Sequence, residues 1–189
     1  MVAVPLTRRR ERPEDERLRA AARGDAAAVR WLLDEVAPVV HGFLYARVGG
    51  DAAAAEDLLQ ETLLEAMRSA DGFRGDAAVS TWLCAIARRR LARHYEQERR
   101  AELGRARLQL VTESAVDASL EQAEQREEVA RALGRLPVLH RQVLVLKYLD
   151  GLSVEEIAEE VGRTRVQVQS LLQRARDGLR RELSEGSDA

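Results

Sequence analysis

The chain has 189 residues, a length that fits one ordinary domain or two small ones. Charged residues make up 33% of the chain, aromatic residues 4%, and the formal net charge is -2, which argues against an overall basic nucleic-acid binder. No apolar run approaches the roughly 18 residues of a membrane span, and the arginine-rich start leads into no signal segment, so we expect a cytoplasmic protein without membrane insertion.

Helical periodicity runs through the whole sequence, and no stretch alternates apolar and polar residues as a half-buried strand does. Proline and glycine residues separate the helical segments. The predicted helices cover 14–23, 25–47, 51–70, 80–100, 122–133, 138–149, 153–160 and 164–183.

The segment 103–124 is predicted to be a flexible acidic linker, because residues 108–128 hold six acids and one base and lack a wide apolar stripe. The fold prediction is therefore all-α, with two small helical domains joined by this linker and a helix-turn-helix in the second domain. The domains are predicted at 14–102 and 125–184, between disordered tails at 1–13 and 185–189.

Cysteine and histidine are too sparse for a disulfide or a metal site. Cys84 is the only cysteine, and His41, His94 and His140 show no spacing typical of metal ligands. We therefore expect no internal disulfide, no metal and no cofactor.

The net charge hides four blocks of opposite sign. Residues 86–107 hold eight arginines and three acids, and residues 163–181 hold six arginines and one acid. Residues 51–65 and 150–160 each hold five acids and no base. A protein with both a polyanionic and a basic protein partner would show this pattern, whereas solvated helix faces are the alternative for any single block.

The most specific local motif is a helix-turn-helix at 152–183. Ser153 with Glu156, and Thr164 with Gln167, predict two capping boxes around a short glycine turn. The outward side of the second helix carries glutamine and arginine, which can pair with base edges in a major groove. An ordinary helical hairpin would explain the caps and the apolar spacing, but not this outward surface.

Three blocks of the chain, in order, resemble a known family. AAEDLLQETLLEAM (54–67), DGFRGDAAVSTWLCAIARRR (71–90) and the helix-turn-helix closely resemble bacterial RNA polymerase sigma factors of the extracytoplasmic-function group. The resemblance implies a non-enzymatic factor that binds core RNA polymerase, recognises the −10 and −35 promoter elements and helps to open the duplex. It implies as partners the β′ clamp helices and β flap of polymerase, promoter DNA and, in many relatives, an anti-sigma factor.

The resemblance also implies roles for particular residues of the first domain. Residues that would dock on the β′ clamp helices are Asp57, Gln60, Glu61, Leu64 and Glu65. Residues that would bind and open the −10 element are Phe73, Arg74, Asp76, Ala78, Arg88, Arg89 and Arg93. Without the resemblance, Trp82 is expected in the core, and Phe73 could either lie in the core or stack on a base. Arg90 falls within the apolar stripe of its helix, and periodicity does not explain its position there.

In the second domain, the resemblance implies −35 contacts by Thr164, Arg165, Gln167, Gln169, Ser170, Gln173, Arg174 and Arg176. The chain departs from the family pattern in having arginine at 89 and 93, and Gln169 and Leu171 where relatives commonly have basic residues. These departures leave the preferred promoter bases open. The acidic residues of the linker, from Glu113 to Glu128, would lie toward the RNA exit channel.

Three other classes of protein compete with the sigma factor. A stand-alone helix-turn-helix regulator, with a sensing or dimerising first domain, would bind duplex DNA tightly without polymerase. An enzyme is disfavoured, because the sequence holds no Ser/His/Asp, Cys/His or phosphate-loop constellation. An adaptor without DNA contacts, or an antagonist of an anti-sigma factor, would leave the two basic blocks unexplained.

Overall fold

The computed structural model describes residues 13–105 and 121–186, and over these residues the chain is all-α, which confirms the predicted fold class. Residues 1–12 of the predicted tail, the linker residues 106–120 with Glu113, and residues 187–189 lie outside the described part of the chain.

The described chain folds into nine α-helices. They are α1 (Pro13–Ala22), α2 (Ala26–Trp31), α3 (Ala37–Arg47), α4 (Ala52–Ser69), α5 (Val79–Arg105), α6 (Glu121–Arg135), α7 (Val138–Leu144), α8 (Val154–Val161) and α9 (Arg165–Gly186). Short π-helical turns follow α2 (Leu32–Val36) and α7 (Val145–Leu149), and a 3₁₀ turn follows α4 (Ala70–Gly72).

These bounds agree with the sequence-based helices to within a few residues, with one internal difference. The helix predicted at 25–47 contains the π-helical turn at Leu32–Val36, which ends two residues before Pro38. Proline has no backbone N–H to donate, so a change of helix type at this point keeps the chain helical without that hydrogen bond. Helix α5 also extends to Arg105 and α6 begins at Glu121, so both enter the segment predicted as linker.

Each domain has its own apolar core. In the first, α1 to α5 enclose fully buried side chains that include Leu18, Leu44, Leu83 and Ile86. In the second, α6 to α9 pack around Val143, Ile157, Val168, Leu172 and Ala175. Val168, Leu172 and Ala175 recur at spacings of four and three along α9, which gives this helix one apolar side.

The two domains also pack directly against each other, which the sequence did not predict. Helix α5 contacts α7, α3 contacts α6, and Val138 belongs to the apolar cluster of the first domain. At this contact Gly49 and Gly134 meet backbone to backbone: a Cβ on Gly49 would lie 2.5 Å from the Gly134 Cα. Only glycine allows two main chains to approach so closely.

Candidate polymerase and nucleic-acid surfaces

Helix α4 presents an acidic face to solvent. Asp51 caps its beginning, accepting a hydrogen bond from the Ala54 N–H at 3.0 Å. Leu59, Leu63 and Met67 pack on the core. The residues predicted to dock on polymerase lie on the opposite, outer side of the helix. Of this set Asp57, Gln60, Glu61 and Leu64 are exposed and Glu65 is half-buried. The structure therefore brings all five residues predicted for polymerase docking to one helix, four of them fully open to a partner.

Arg90, which periodicity leaves unexplained, bridges α5 to this acidic face. Its guanidinium lies 3.0 Å from the Glu61 carboxylate and 2.6 Å from that of Glu65, and its side chain is 23% exposed. Glu65 is also 3.6 Å from Arg89. An arginine within the apolar stripe is thus stabilised by two carboxylates at the α4–α5 contact. No sequence period signals this arrangement, because the acids belong to another helix.

The loop 73–78 between the 3₁₀ turn and α5 carries the remaining −10 candidates. Arg74 and Asp76 are exposed and Ala78 is partly exposed. Phe73, in contrast, is 3% exposed, and its ring centroid lies 5.0 Å from that of Trp82, which packs on the same core. The Phe73 ring therefore anchors the loop to the core, and its burial does not fit the predicted direct contact with DNA.

The arginines of α5 are placed differently from one another. Arg88, Arg89 and Arg93 are exposed. Arg88 donates to the Asp150 carboxylate of the second domain at 3.3 Å and lies 5.5 Å above the Phe43 ring. Arg93 and Arg89 are therefore more open to a phosphate backbone than Arg88 is in this arrangement of domains.

Both predicted capping boxes are present at the helix-turn-helix. The Ser153 hydroxyl accepts from the Glu156 N–H, and the Glu156 carboxylate accepts from the Ser153 N–H at 2.8 Å. The Ser153 hydroxyl also donates to the Glu156 carboxylate at 2.7 Å, and the backbone and side-chain hydrogen bonds that this carboxylate accepts from Ser153 lower the pKa of Glu156. Thr164 and Gln167 make the equivalent pair at α9, with distances of 2.9 and 3.3 Å.

The turn between α8 and α9 requires a left-handed residue. Gly162 ends α8 with φ +62°, a conformation that suits glycine, and its N–H bonds to the last turn of the helix. The two caps and this glycine fix where α9 begins, and its buried Val168, Leu172 and Ala175 determine which of its sides faces outward. The predicted motif is thereby confirmed at the level of local structure.

The outer side of α9 carries the predicted −35 set. All members except Arg176 are exposed: Thr164, Arg165, Gln167, Gln169, Ser170, Gln173 and Arg174. Arg176 is half-buried. Leu171 is 7% exposed and belongs to the core of the second domain. Its departure from the basic family pattern thus has a packing explanation, whereas Gln169 remains on the exposed face.

Several of these side chains are held in a chain of hydrogen bonds. Arg176 donates to the Gln173 side-chain oxygen at 2.7 Å and to the Tyr148 hydroxyl at 3.4 Å. Gln173 in turn donates to Asp177 at 3.1 Å. Arg165 pairs with Glu155 of α8 at 3.1 Å. This network limits the rotamers of the exposed polar side chains before any ligand is present.

The contact between domains rests on two buried arginines that the sequence did not single out. Arg47, with a side chain 9% exposed, donates to the Asp150 carboxylate at 2.7 Å; that carboxylate is 7% exposed. Arg141, 5% exposed, pairs with Glu98 of α5. Burial acts to raise the pKa of Glu98, but hydrogen bonding from His94 and the charge of Arg141 outweigh it, so the pKa lies below its usual value.

Among residues 13–105 and 121–186, no three His, Cys, Asp or Glu side chains group so that they could hold a metal ion. No helix in the same two stretches is long and apolar enough to cross a membrane.

Comparison with known proteins gives a consistent result for both domains. Residues 32–101 match the model of Sigma-70 region 2, and residues 126–178 match that of Sigma-70, region 4. The chain is 34% identical over 172 residues to the ECF RNA polymerase sigma factor SigL of Mycobacterium tuberculosis, covering 89% of this chain and 96% of SigL.

A second relative is longer than this chain. The ECF RNA polymerase sigma factor BldN of Streptomyces coelicolor is 31% identical over 170 residues, covering 85% of this chain and 62% of BldN. Among solved structures, the sigma factor RpoE of Bartonella quintana, in complex with the anti-sigma factor NepR, superimposes with a TM-score of 0.51 at 24% identity. That superposition covers 82% of this chain and 95% of RpoE and supports the shared fold.

Proposed function

Because the chain belongs to the extracytoplasmic-function sigma factors, which are promoter-recognising, non-enzymatic initiation factors, we propose that its three outward surfaces divide this work between polymerase and two promoter elements. One observation carries this division: the exposed Gln/Arg side of α9 and the exposed acidic side of α4 lie in different domains. Opposite charge on separate domains suits one polyanionic and one basic partner.

The acidic face of α4 is the proposed polymerase surface. Asp57, Gln60, Glu61 and Leu64 are open on it, and the exposed Leu64 adds an apolar contact amid the acids. An interface of this kind combines an apolar centre with charged groups that steer association. The β′ clamp helices are the partner we assign to it, and the β flap is assigned to the second domain on family membership alone.

The loop 73–78 and the exposed arginines of α5 form the proposed −10 surface. The exposed Arg74 suits bases or phosphates and the exposed Asp76 suits the amino groups of bases, while Arg89 and Arg93 add positive charge along the helix. Unpaired bases are held by such a combination of hydrogen bonds and cations once the duplex has opened. We leave the Phe73 ring out of this surface because it is buried.

The outer side of α9 is the proposed −35 surface. We assign the exposed Gln169, Ser170 and Gln173 to base edges, which a recognition helix contacts in the major groove. Arg165 and Arg174 flank them and suit phosphate contacts. Two moderate DNA contacts held at fixed spacing by one polymerase gain effective concentration, so the free factor is expected to bind duplex DNA poorly.

The decisive experiment is run-off transcription with core polymerase on genomic fragments, with start-site mapping. Addition of the purified chain should produce discrete start sites that are absent with core polymerase alone. The chain carrying Asp57→Lys and Glu61→Lys is the matched control and should produce none. Tight binding of a duplex operator without polymerase, together with no new start site, would instead support the stand-alone regulator.

We place this activity in the cytoplasm, where bacterial polymerase transcribes. An anti-sigma factor is a further partner that we propose on family membership alone. Co-purification of the tagged chain from its native host, with and without Arg47→Glu at the domain contact, would identify such a partner. It would also report whether binding of that partner requires the two domains to be packed against each other.

A further inference from the structure

Helix α1 lies before the range matched by the region 2 family model, which begins at residue 32. It nevertheless contacts both ends of the loop 73–78. At the beginning, the Arg19 guanidinium donates to the Phe73 carbonyl at 3.2 Å. At the end, the Glu14 carboxylate accepts from the Val79 N–H at 3.1 Å, at the first turn of α5. The two charged side chains thus hold the loop at its two ends.

A third charged residue of α1, Asp15, lies against the middle of the same loop. Asp15 is 3% exposed, and a Cβ on Gly75 would lie 2.8 Å from its carboxyl carbon. Gly75 has φ +67°, a left-handed conformation that glycine adopts readily. The loop backbone therefore rests on the Asp15 carboxylate, and no larger residue fits at position 75 without moving one of them.

Helix α1 is itself firmly attached to the first domain. Leu18 and Ala21 are completely buried in its core, and α1 contacts α4, α5 and the 3₁₀ turn. Apolar packing accounts for the attachment of α1, but it does not account for two charged side chains that bond to main-chain groups more than fifty residues away. Bonds from charged groups to main-chain atoms fix a loop in one conformation.

We propose that α1 is a functional part of the −10 surface, in which Arg19 and Glu14 are positioning residues. They hold the loop 73–78 in the shape that receives unpaired −10 bases. The ring of Phe73 anchors the loop from the core side, Arg19 holds the carbonyl of the same residue, and Glu14 fixes the start of α5. Arg74 and Asp76 are then presented to DNA by a loop that is already ordered, which lowers the entropy lost on binding. This inference rests on the −10 role proposed above for the loop.

The test uses holoenzyme assembled from core polymerase and the full chain, with a duplex promoter fragment identified by start-site mapping. Permanganate reactivity of unpaired thymines measures opening of the −10 element. Arg19→Ala should lower the fraction of open complex about tenfold, the equilibrium equivalent of one hydrogen bond from a charged donor. Arg19→Lys, which keeps a charged donor, should restore part of it.

Arg23→Ala is the matched control, since Arg23 is an exposed arginine just beyond the end of α1. It should open the promoter as the unchanged chain does. Affinity for core polymerase should be the same for the variants at 19 and 23, and both free chains should be fully folded at the temperature of the assay. A template with a preformed bubble over the −10 element should reduce the defect of Arg19→Ala, because the strands of this template are already separated there.

The outcomes separate the inference from the proposal on which it rests. If Arg74→Ala and Asp76→Ala impair opening but Arg19→Ala does not, the loop binds DNA without the help of α1 and the inference is wrong. If Arg19→Ala impairs opening only in proportion to a loss of folded protein, its role is structural and the inference is again wrong. If the variants at 74 and 76 open the promoter normally, the proposed role of the loop itself fails.

Discussion

Gly134→Ala should separate the two domains while leaving each of them folded. Gly134 lies near the end of α6, where alanine is a better helix former by up to about 1 kcal/mol. The added Cβ, however, would lie 3.3 Å from the Gly49 carbonyl carbon and closer still to its oxygen. Neither atom belongs to a flexible side chain, so the two main chains must move apart by about 1 Å to reach an ordinary contact distance of about 3.5 Å.

That displacement is enough to break the polar contacts beside it. The Arg47–Asp150 hydrogen bond is 2.7 Å long, and a shift of about 1 Å takes it beyond the range of a hydrogen bond. Breaking a buried ion pair while both charges stay buried costs about 3–5 kcal/mol. Full separation avoids this cost, because Arg47 and Asp150 then regain water. The expected response is therefore an open chain rather than a slightly distorted closed one.

Small-angle X-ray scattering and circular dichroism measure the two effects separately. The radius of gyration of Gly134→Ala should exceed that of the unchanged chain, for which full compaction of 189 residues corresponds to about 16 Å. Helical content and the unfolding of the second domain should stay the same or improve. Gly42→Ala is the control, since a Cβ on Gly42 meets nothing within 4 Å. Equal scattering from both variants would refute the role assigned to the Gly49–Gly134 contact.

Three further predictions concern charge. Arg174→Glu with Arg176→Glu should weaken promoter binding by the holoenzyme in a filter-binding assay. The slope of log K against log salt concentration should become shallower by about 0.9 for each phosphate that is no longer bound. Simultaneous loss of polymerase binding would contradict the −35 role. Asp57→Lys with Glu61→Lys should abolish co-purification with core polymerase, and unchanged association would remove α4 from the docking surface. The pKa of Glu98 is lowered where the two domains pack together, so the ionised Glu98 stabilises their contact. This contribution should be complete when the pH is above 4.5, the ordinary pKa, and should be lost as the pH falls below that value. The radius of gyration as a function of pH measures the effect, and Glu98→Gln should remove the dependence on pH.

Local signals in the sequence were sufficient for the helices and the helix-turn-helix. The capping boxes at Ser153 and Thr164 depend on residues three positions apart, so the sequence contains both partners of each bond. The apolar stripe of α9 is likewise a local pattern. For this reason the outward side of α9 could be assigned before the structure was known, although Arg176 on that side is half-buried.

Interactions between distant segments could not be predicted in this way. Arg90 lies in an apolar stripe, and only the packing of α5 on α4 reveals the carboxylates that pair with it. Arg47 and Asp150 are separated by 103 positions, and nothing local to either residue identifies the other. The choice between core and DNA contact for Phe73 also depended on a neighbour, Trp82, across the loop. Periodicity predicts which side of a helix is buried, but not what lies against it.

The ion pairs between α4 and α5 determine which acids remain available for polymerase. Glu65 is shared between Arg89 and Arg90, so a basic partner must compete with two arginines for it. Glu61 is 55% exposed and has one such pair. Asp57 is exposed and, within the described part of the chain, pairs with no arginine. A carboxylate without an internal ion pair has none to break when it binds a partner, so less of its interaction energy is lost. Asp57 should therefore contribute most to polymerase affinity, followed by Glu61 and then Glu65.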